Sequence, residues 1–272
     1  MKIKTMVHRI VDGIVAFMGR ALGLKYFPTY FNGVWLKLDP RYWNSLYTPY
    51  EPYVALALRD HLKSGSVFFD VGAHVGLWSL FGARLVGRKG AVISFEPSEA
   101  YALLSSHSHQ SARIKPLNVG VGSADGEAKF FNQGPAVTNS FVRDLAMMMV
   151  RSQPEATMVE RTVRIRSLDS VASELGVEPS VIKMDVEGYE YAVVSGAVGL
   201  MERFSPTWII EVHPYQLKLS GGSEERLMTI LGMHGYRVTV IDRNPNGIYT
   251  ILAQVSAEEK KSQKNDALRT SL

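Results

Sequence analysis

The sequence predicts an α/β domain with a seven-stranded, mostly parallel sheet whose last strand runs antiparallel, preceded by an amino-terminal helix and an aromatic-rich hairpin. Three observations carry this. Val67–Phe69 is apolar with no polar alternation, as in a strand covered on both faces, and Ala91–Phe95, Val181–Val186 and Thr207–Val212 are further short runs read as strands. Helical patterns lie between them, the arrangement of parallel α/β units. Near the end, Tyr236–Ile241 and Ile248–Gln254 are two runs, the second returning after the turn Asn244-Pro245-Asn246-Gly247 beside its neighbour.

Length and composition agree. A chain of 272 residues can bury one large core, with residues 51–255 as the domain, 1–50 as an extension, and 256–272 as a charged, apolar-poor tail expected to be disordered. The absence of cysteine excludes disulfides and thiolate metal sites and accords with a cytoplasmic location. A net charge of +4 suits acidic substrates or an anionic membrane surface, and is too weak and scattered to argue for nucleic acid.

From the start, Ile3 to Leu24 carries an apolar stripe at helical spacing. Arg9 and Asp12 within it argue against a membrane span, and no small-residue cleavage site follows. The plainer reading is a helix packed on the domain. The sharper one is peripheral membrane contact through residues 1–25, with Lys2, Lys4, Arg9 and Lys25 facing anionic lipid. Tyr26–Tyr50 is dense in aromatics, and Asn32-Gly33 marks a hairpin turn. Glu51–Leu62 then reads as a helix.

Val67–Phe69 runs into Asp70, and Gly72-Ala73-His74-Val75-Gly76 forms a turn before a helix from Leu77 to Leu85. The second strand ends at Glu96, about twenty residues beyond Gly76, the spacing at which an acid reaches ribose hydroxyls. A dinucleotide would call for Gly-x-Gly-x-x-Gly, whereas this chain has Gly-x-x-x-Gly preceded by an acid. S-adenosylmethionine has no phosphate but has an amino group for that acid to hold, so the pattern favours it. An ordinary turn with Asp70 as a helix cap explains the glycines alone, but not the second acid.

Ser98–Gln110 is read as helical, with Ala102, Leu103 and Leu104 inward and His107 and His109 as exposed polar residues near its end. Ile114–Val121 is read as a third strand whose turn, with Asn118, faces the adenine end of the cofactor. Ala128–Asn132 is an added strand. Gln133–Thr162, with its methionines, has the character of a lid or binding loop. Val163–Ile165 is a short strand, and Ser167-Leu168-Asp169 opens a helix through Leu175.

Val181–Val186 runs straight into Glu187-Gly188-Tyr189-Glu190, read as a helix start, and Thr207–Val212 ends at Glu211 and His213. Lys183, Asp185, Glu187, Glu211 and His213 are thereby brought to the carboxyl edge of adjacent strands, where open α/β sheets place ligands. His213 and Asp185 are the candidates for a general base, the imidazole because its ordinary pKa suits neutral pH. No metal ligand set is assigned, although carboxylates with one imidazole would also suit a divalent cation.

The blocks DVGAHVG (Asp70–Gly76), SFEPS (Ser94–Ser98), SLDS (Ser167–Ser170), KMDVEGYE (Lys183–Glu190) and EVHP (Glu211–Pro214) together resemble the FkbM family of S-adenosylmethionine-dependent methyltransferases. The resemblance covers about Glu51 to Ala253. It implies the class I methyltransferase, Rossmann-like fold and O-methylation of a sugar, glycolipid or polyketide-type acceptor. It further implies that Asp70, Gly72 and Gly76 hold the methionine part of S-adenosylmethionine and Glu96 its ribose, with His74 among the cofactor-binding positions. Lys183, Asp185, Glu187, Glu211 and His213 would surround the methyl group and the acceptor. The family commonly has asparagine where this chain has His74. Two other classes stay open at this level: a catalytically inactive methyltransferase-like binding module, and a nicotinamide-dependent oxidoreductase.

Overall fold

The computed structural model describes residues 17–19, 21–39, 50–132, 141, 143, 147 and 158–256. The expected helical stripe therefore lies outside the described residues save 17–19 and 21–24, as does most of the expected lid and all but the first residue of the tail. The chain divides into two units, Met1–Leu56 and Ala57–Leu272.

In the first unit, β1 (Phe27–Phe31) and β2 (Val34–Leu38) form the expected antiparallel hairpin. Asn32 and Gly33 have φ of 42° and 86°, the pair of positive values that a tight two-residue turn needs to match strand twist. The Asn32 amide donates to the Tyr50 carbonyl at 2.6 Å. Helix α1 (Pro52–His61) opens on a proline, whose missing N–H costs nothing at a helix start.

The second unit is built on seven strands: β3 (Val67–Val71), β4 (Ala91–Phe95), β5 (Ile114–Leu117), β9 (Pro179–Met184), β10 (Thr207–Val212), β11 (Arg237–Arg243) and β12 (Tyr249–Gln254). Their order is β11-β12-β10-β9-β3-β4-β5, and β12 runs antiparallel to both neighbours. This is the class I α/β sheet expected from the sequence. Phe68, Phe69, Val92, Phe95, Val181, Ile182, Trp208 and Ile210 are all buried, which is why these strands are apolar on both faces over most of their length. The chain order reverses between β3 and β9, so their carboxyl ends open a crevice.

Helices α2 (Leu77–Leu85) and α3 (Tyr101–Ser108) follow β3 and β4. Within α3, Leu104 is buried, but Ala102 is exposed and Leu103 half-buried. His107 corrects the expectation of an exposed residue: it is fully buried, and its Nδ1 lies 2.7 Å from the Val75 carbonyl oxygen, which ties α3 to the glycine turn. His109 is exposed as expected.

The third strand is shorter than its apolar run. It stops at Leu117, where the Asn118 amide donates to the Glu96 carbonyl at 2.9 Å, and Gly120–Val121 leaves as β6 for a second sheet. That sheet has the order β6-β8-β7, with β7 at Gly126–Asn132 and β8 at Val159–Arg166. Only Val163–Ile165 of β8 was legible, because the strand is exposed along most of its length and its polar residues mask the period.

Helix α4 (Leu168–Leu175) explains the SLDS block structurally. Ser167 caps it, accepting from the Ser170 N–H at 3.2 Å. Asp169 accepts from Gly199 and Leu200 N–H at 2.8 and 2.7 Å, capping α6 (Val198–Phe204). Helices α5 (Glu190–Ser195), α7 (Pro214–Leu219) and α8 (Glu224–Met233) complete the unit.

Candidate active site

The crevice has two parts, and the first lies at the ends of β3 and β4. Asp70 is fully buried, paired in register with Lys183 of β9. Its Oδ2 accepts from Ser79 at 2.5 Å, while its buried Oδ1 has no hydrogen-bond partner. Burial pushes its pKa up, and Lys183 and the Ser79 hydroxyl oppose this. A buried carboxyl oxygen without a donor is the feature a ligand ammonium group would satisfy.

Glu96 is also buried. Its Oε2 accepts from the His74 N–H at 2.8 Å, and its Oε1 from the Ser98 N–H at 2.8 Å. Two backbone donors thus fix the carboxylate, and each oxygen keeps a lone pair for a diol. His74 sits at φ 49°, a left-handed conformation that asparagine and histidine tolerate better than most side chains. The replacement of asparagine by histidine therefore keeps the backbone contact to Glu96. Burial holds the His74 imidazole below its ordinary pKa.

Gly72 has φ 75°, and a Cβ there would stand 1.8 Å from the Asp185 carbonyl oxygen. Only glycine permits this approach between the β3 turn and the β9 turn. Gly76, at φ 86°, precedes α2, and a Cβ on it would meet Leu104 Cδ1 at 2.7 Å. Asn118 is brought to the same edge, although its amide nitrogen is engaged by the Glu96 carbonyl.

The second part lies at the ends of β9 and β10. Asp185 follows the last residue of β9, with its Oδ2 3.6 Å from Lys183 Nζ. Glu187 is not the helix residue the sequence suggested. It occupies a left-handed turn at φ 50°, followed by Gly188 at φ 101°. A Cβ on Gly188 would stand 2.5 Å from Gln216 Cβ, and Ser220 Oγ donates to the Gly188 carbonyl at 2.6 Å. The turn is therefore pinned against α7.

His213 is buried and central to this cluster. Its Nε2 lies 3.5 Å from Glu187 Oε2 and 3.8 Å from Asp185 Oδ1. Its Nδ1 lies 2.8 Å from Oε1 of Glu190, which is fully buried and also accepts from the Gly188 N–H at 3.0 Å. Burial alone would lower the imidazole pKa, but the Glu190 hydrogen bond and the three carboxylates outweigh it and push it up to about 9. Burial pushes Glu187 up to about 7 against the pull of the imidazolium. Burial would raise Asp185 as well, yet Lys183 and His213 hold it below the ordinary carboxylate value.

The structure therefore brings Lys183, Asp185, Glu187, Glu211 and His213 to one edge, as expected. It changes the protonation assigned to His213, and it adds Glu190. That residue escaped notice because an acid in the first turn of a helix is explained equally well by the helix dipole. Asp185, Glu211 and His213 each offer a ligand atom within 4.8 Å of the others, so the residues for a cation are grouped.

This sheet, with one acid lying next to a glycine turn, a second at the end of the next strand, and a carboxylate and imidazole cluster beside them, defines a class I methyltransferase-type domain. Residues 70–238 match the Methyltransferase FkbM domain, and the chain belongs to that family. It is 25% identical over 166 residues to hexuronic acid methyltransferase AglP of Haloferax volcanii, covering 60% of this chain and 62% of that protein. It is 27% identical over 123 residues to ribosomal RNA large subunit methyltransferase E of Bdellovibrio bacteriovorus, covering 45% of this chain and 56% of that one. Among solved structures it is similar to methyltransferase FkbM of Methylobacillus flagellatus, with TM-score 0.48 and 18% identity over 70% of this chain and 43% of the other. The chain spans less than two thirds of each of these relatives.

Proposed function

We propose that this protein is an S-adenosylmethionine-dependent O-methyltransferase acting on a sugar hydroxyl, with uronic acid-containing glycans as the leading acceptor class. The observation that carries the reading is the approach of the Gly72 turn to Asp185, which joins the two halves of the crevice without a side chain between them. The acceptor class rests on the similarity to a hexuronic acid methyltransferase. A nicotinamide cofactor is disfavoured by the turn, which has an acid where a pyrophosphate would need open backbone.

Asp70 would hold the amino group of the donor and Glu96 its ribose hydroxyls. S-adenosylmethionine, when bound, supplies a methyl group already activated on a sulfonium. The protein's remaining tasks are alignment and removal of the acceptor hydroxyl proton. Glu187 is the better base, since a carboxyl poised near pH 7 takes a proton reversibly at neutral pH. His213, pushed up to about 9, enters neutral solution as an imidazolium and orients the carboxylates around it. Asp185, ionised, accepts from a neighbouring acceptor hydroxyl.

The grouping of Asp185, Glu211 and His213 supports a second version, in which a divalent cation binds the acceptor hydroxyls. Lys183, 3.6 Å from Asp185, competes with a cation for that carboxylate.

Calorimetry with S-adenosylhomocysteine on the purified chain tests the donor site, and transfer of labelled methyl to a glucuronate-containing oligosaccharide tests the acceptor. Absence of binding removes the methyltransferase reading. Binding without transfer to uronic acid sugars removes the acceptor assignment. Loss of transfer in chelator, restored by Mg²⁺, establishes the cation version.

A further inference from the structure

The hairpin of the first unit departs from the rule that one face of an antiparallel pair is apolar and the other polar. Thr29, Phe31, Leu36 and Leu38 are buried on one face. The opposite face carries Pro28, Tyr30, Trp35 and Lys37, all exposed, with Trp35 63% and Tyr30 55% accessible. Tyr30 and Trp35 are cross-strand partners with ring centroids 5.4 Å apart, and Pro28 pairs with Lys37 in the same register. Just before the hairpin, Phe17 at 73% and Leu22 at 68% are also exposed.

Charge completes the pattern. The excess of basic residues is not scattered after all. Residues 1–50 hold seven of the chain's 30 lysines and arginines but only Asp12 and Asp39 of its 26 acids. The remainder thus carries 23 basic against 24 acidic residues, and the positive charge of the chain belongs to its first unit. Tryptophan and tyrosine beside lysine, on a segment with net positive charge, is the composition that seats at a bilayer interface: the rings lie at headgroup level and the cations meet anionic lipid. Among the described residues no helix is long and apolar enough to cross a membrane.

We infer that the outer face of the β1–β2 hairpin, which carries Tyr30, Trp35 and Lys37, is a docking surface for an anionic lipid bilayer. The reading is independent of the methyl-transfer assignment, because it uses no residue of the crevice.

The test is co-sedimentation of the full chain with vesicles of phosphatidylcholine alone and of equal parts phosphatidylcholine and phosphatidylglycerol, at low and high salt. Binding to the anionic vesicles only, weakened by salt, is the expected result. Trp35→Ala with Tyr30→Ala, and separately Lys25→Glu with Lys37→Glu, should each weaken the partition by on the order of tenfold. Both variants should match the unmodified chain in calorimetric binding of S-adenosylhomocysteine, which reports the second unit, and in far-UV circular dichroism, which reports the hairpin as well. No binding to either vesicle, or equal binding to both, overturns the inference. So does a concentration-dependent dimer in light scattering that Trp35→Glu abolishes, because the face would then be covered by a second copy.

Discussion

Replacing Glu190 by glutamine isolates the interaction on which the electrostatics of the crevice turn. The side chain keeps its shape and can still accept from the Gly188 N–H, but the charge 2.8 Å from His213 Nδ1 is gone. In the native protein the imidazole is pushed from 6.5 to about 9, which favours the imidazolium by about 3 kcal/mol at 1.36 kcal/mol per pH unit. An opposite charge at this range accounts for roughly one to three pH units, so Glu190→Gln should bring His213 from about 9 to between about 6 and 8. Imidazole resonances followed by NMR against pH read this directly. Stability should follow. The raised pKa contributes stability that is fully present below 6.5 and lost as pH rises through about 9. The stability gap between native protein and variant in urea should therefore narrow by roughly 1–3 kcal/mol between pH 6 and pH 9.5. A native His213 titrating near 6.5, or a Glu190→Gln variant with an unmoved titration, refutes the reasoning.

Glu187→Gln should lower turnover by roughly 10²- to 10⁴-fold, and methyl transfer by the native enzyme should rise with pH through about 7 as Glu187 ionises; a rise centred near 9 would assign the base to His213 instead. Glu96→Ala removes the carboxylate held by the His74 and Ser98 N–H groups, and should weaken S-adenosylhomocysteine binding by roughly 10- to 100-fold in calorimetry. Gly72→Ala should lower the melting temperature far more than Gly176→Ala, because a Cβ at 72 meets the Asp185 carbonyl while one at 176 has nothing within 4 Å, though both positions have positive φ. Asp169→Ala strips the cap from α6 and should cost about 1–2 kcal/mol in urea denaturation, with donor binding unchanged.

Strands buried on both faces announced themselves, since β3, β4, β9 and β10 are apolar over most of their length and those runs located them within about two residues. The second sheet was illegible for the opposite reason. Its strand β8 is mostly exposed, and residues such as Glu160, Arg161 and Arg164 need no period to stay in solvent. The acids at strand ends were legible because an ionisable residue closing an apolar run has few structural excuses. Glu190 and His107 have ready ones, a helix start and a helix end, and both are fully buried through hydrogen bonds to residues distant in sequence. Nothing local in the chain marks such a residue as interior.

The same contrast explains why the two halves of the crevice depend on each other. Gly72 fits against the Asp185 carbonyl, Asp70 lies in register with Lys183, and Lys183 in turn neighbours Asp185, so each half contributes to the field of the other. A cationic ligand at Asp70 would offset the burial that raises that carboxyl, and at the same time add positive charge near Lys183, Asp185 and Glu187. Positive charge there favours the ionised form of Glu187 and disfavours the imidazolium of His213. Donor binding should therefore move the Glu187 titration below about 7 and that of His213 below about 9, readying the base when the methyl donor is in place. The His213 resonance, recorded with the cationic S-adenosylmethionine and with the uncharged sulfur of S-adenosylhomocysteine, separates the sulfonium charge from occupancy alone. Titrations in both complexes identical to that of the free protein would mean that the halves share a wall but not a field.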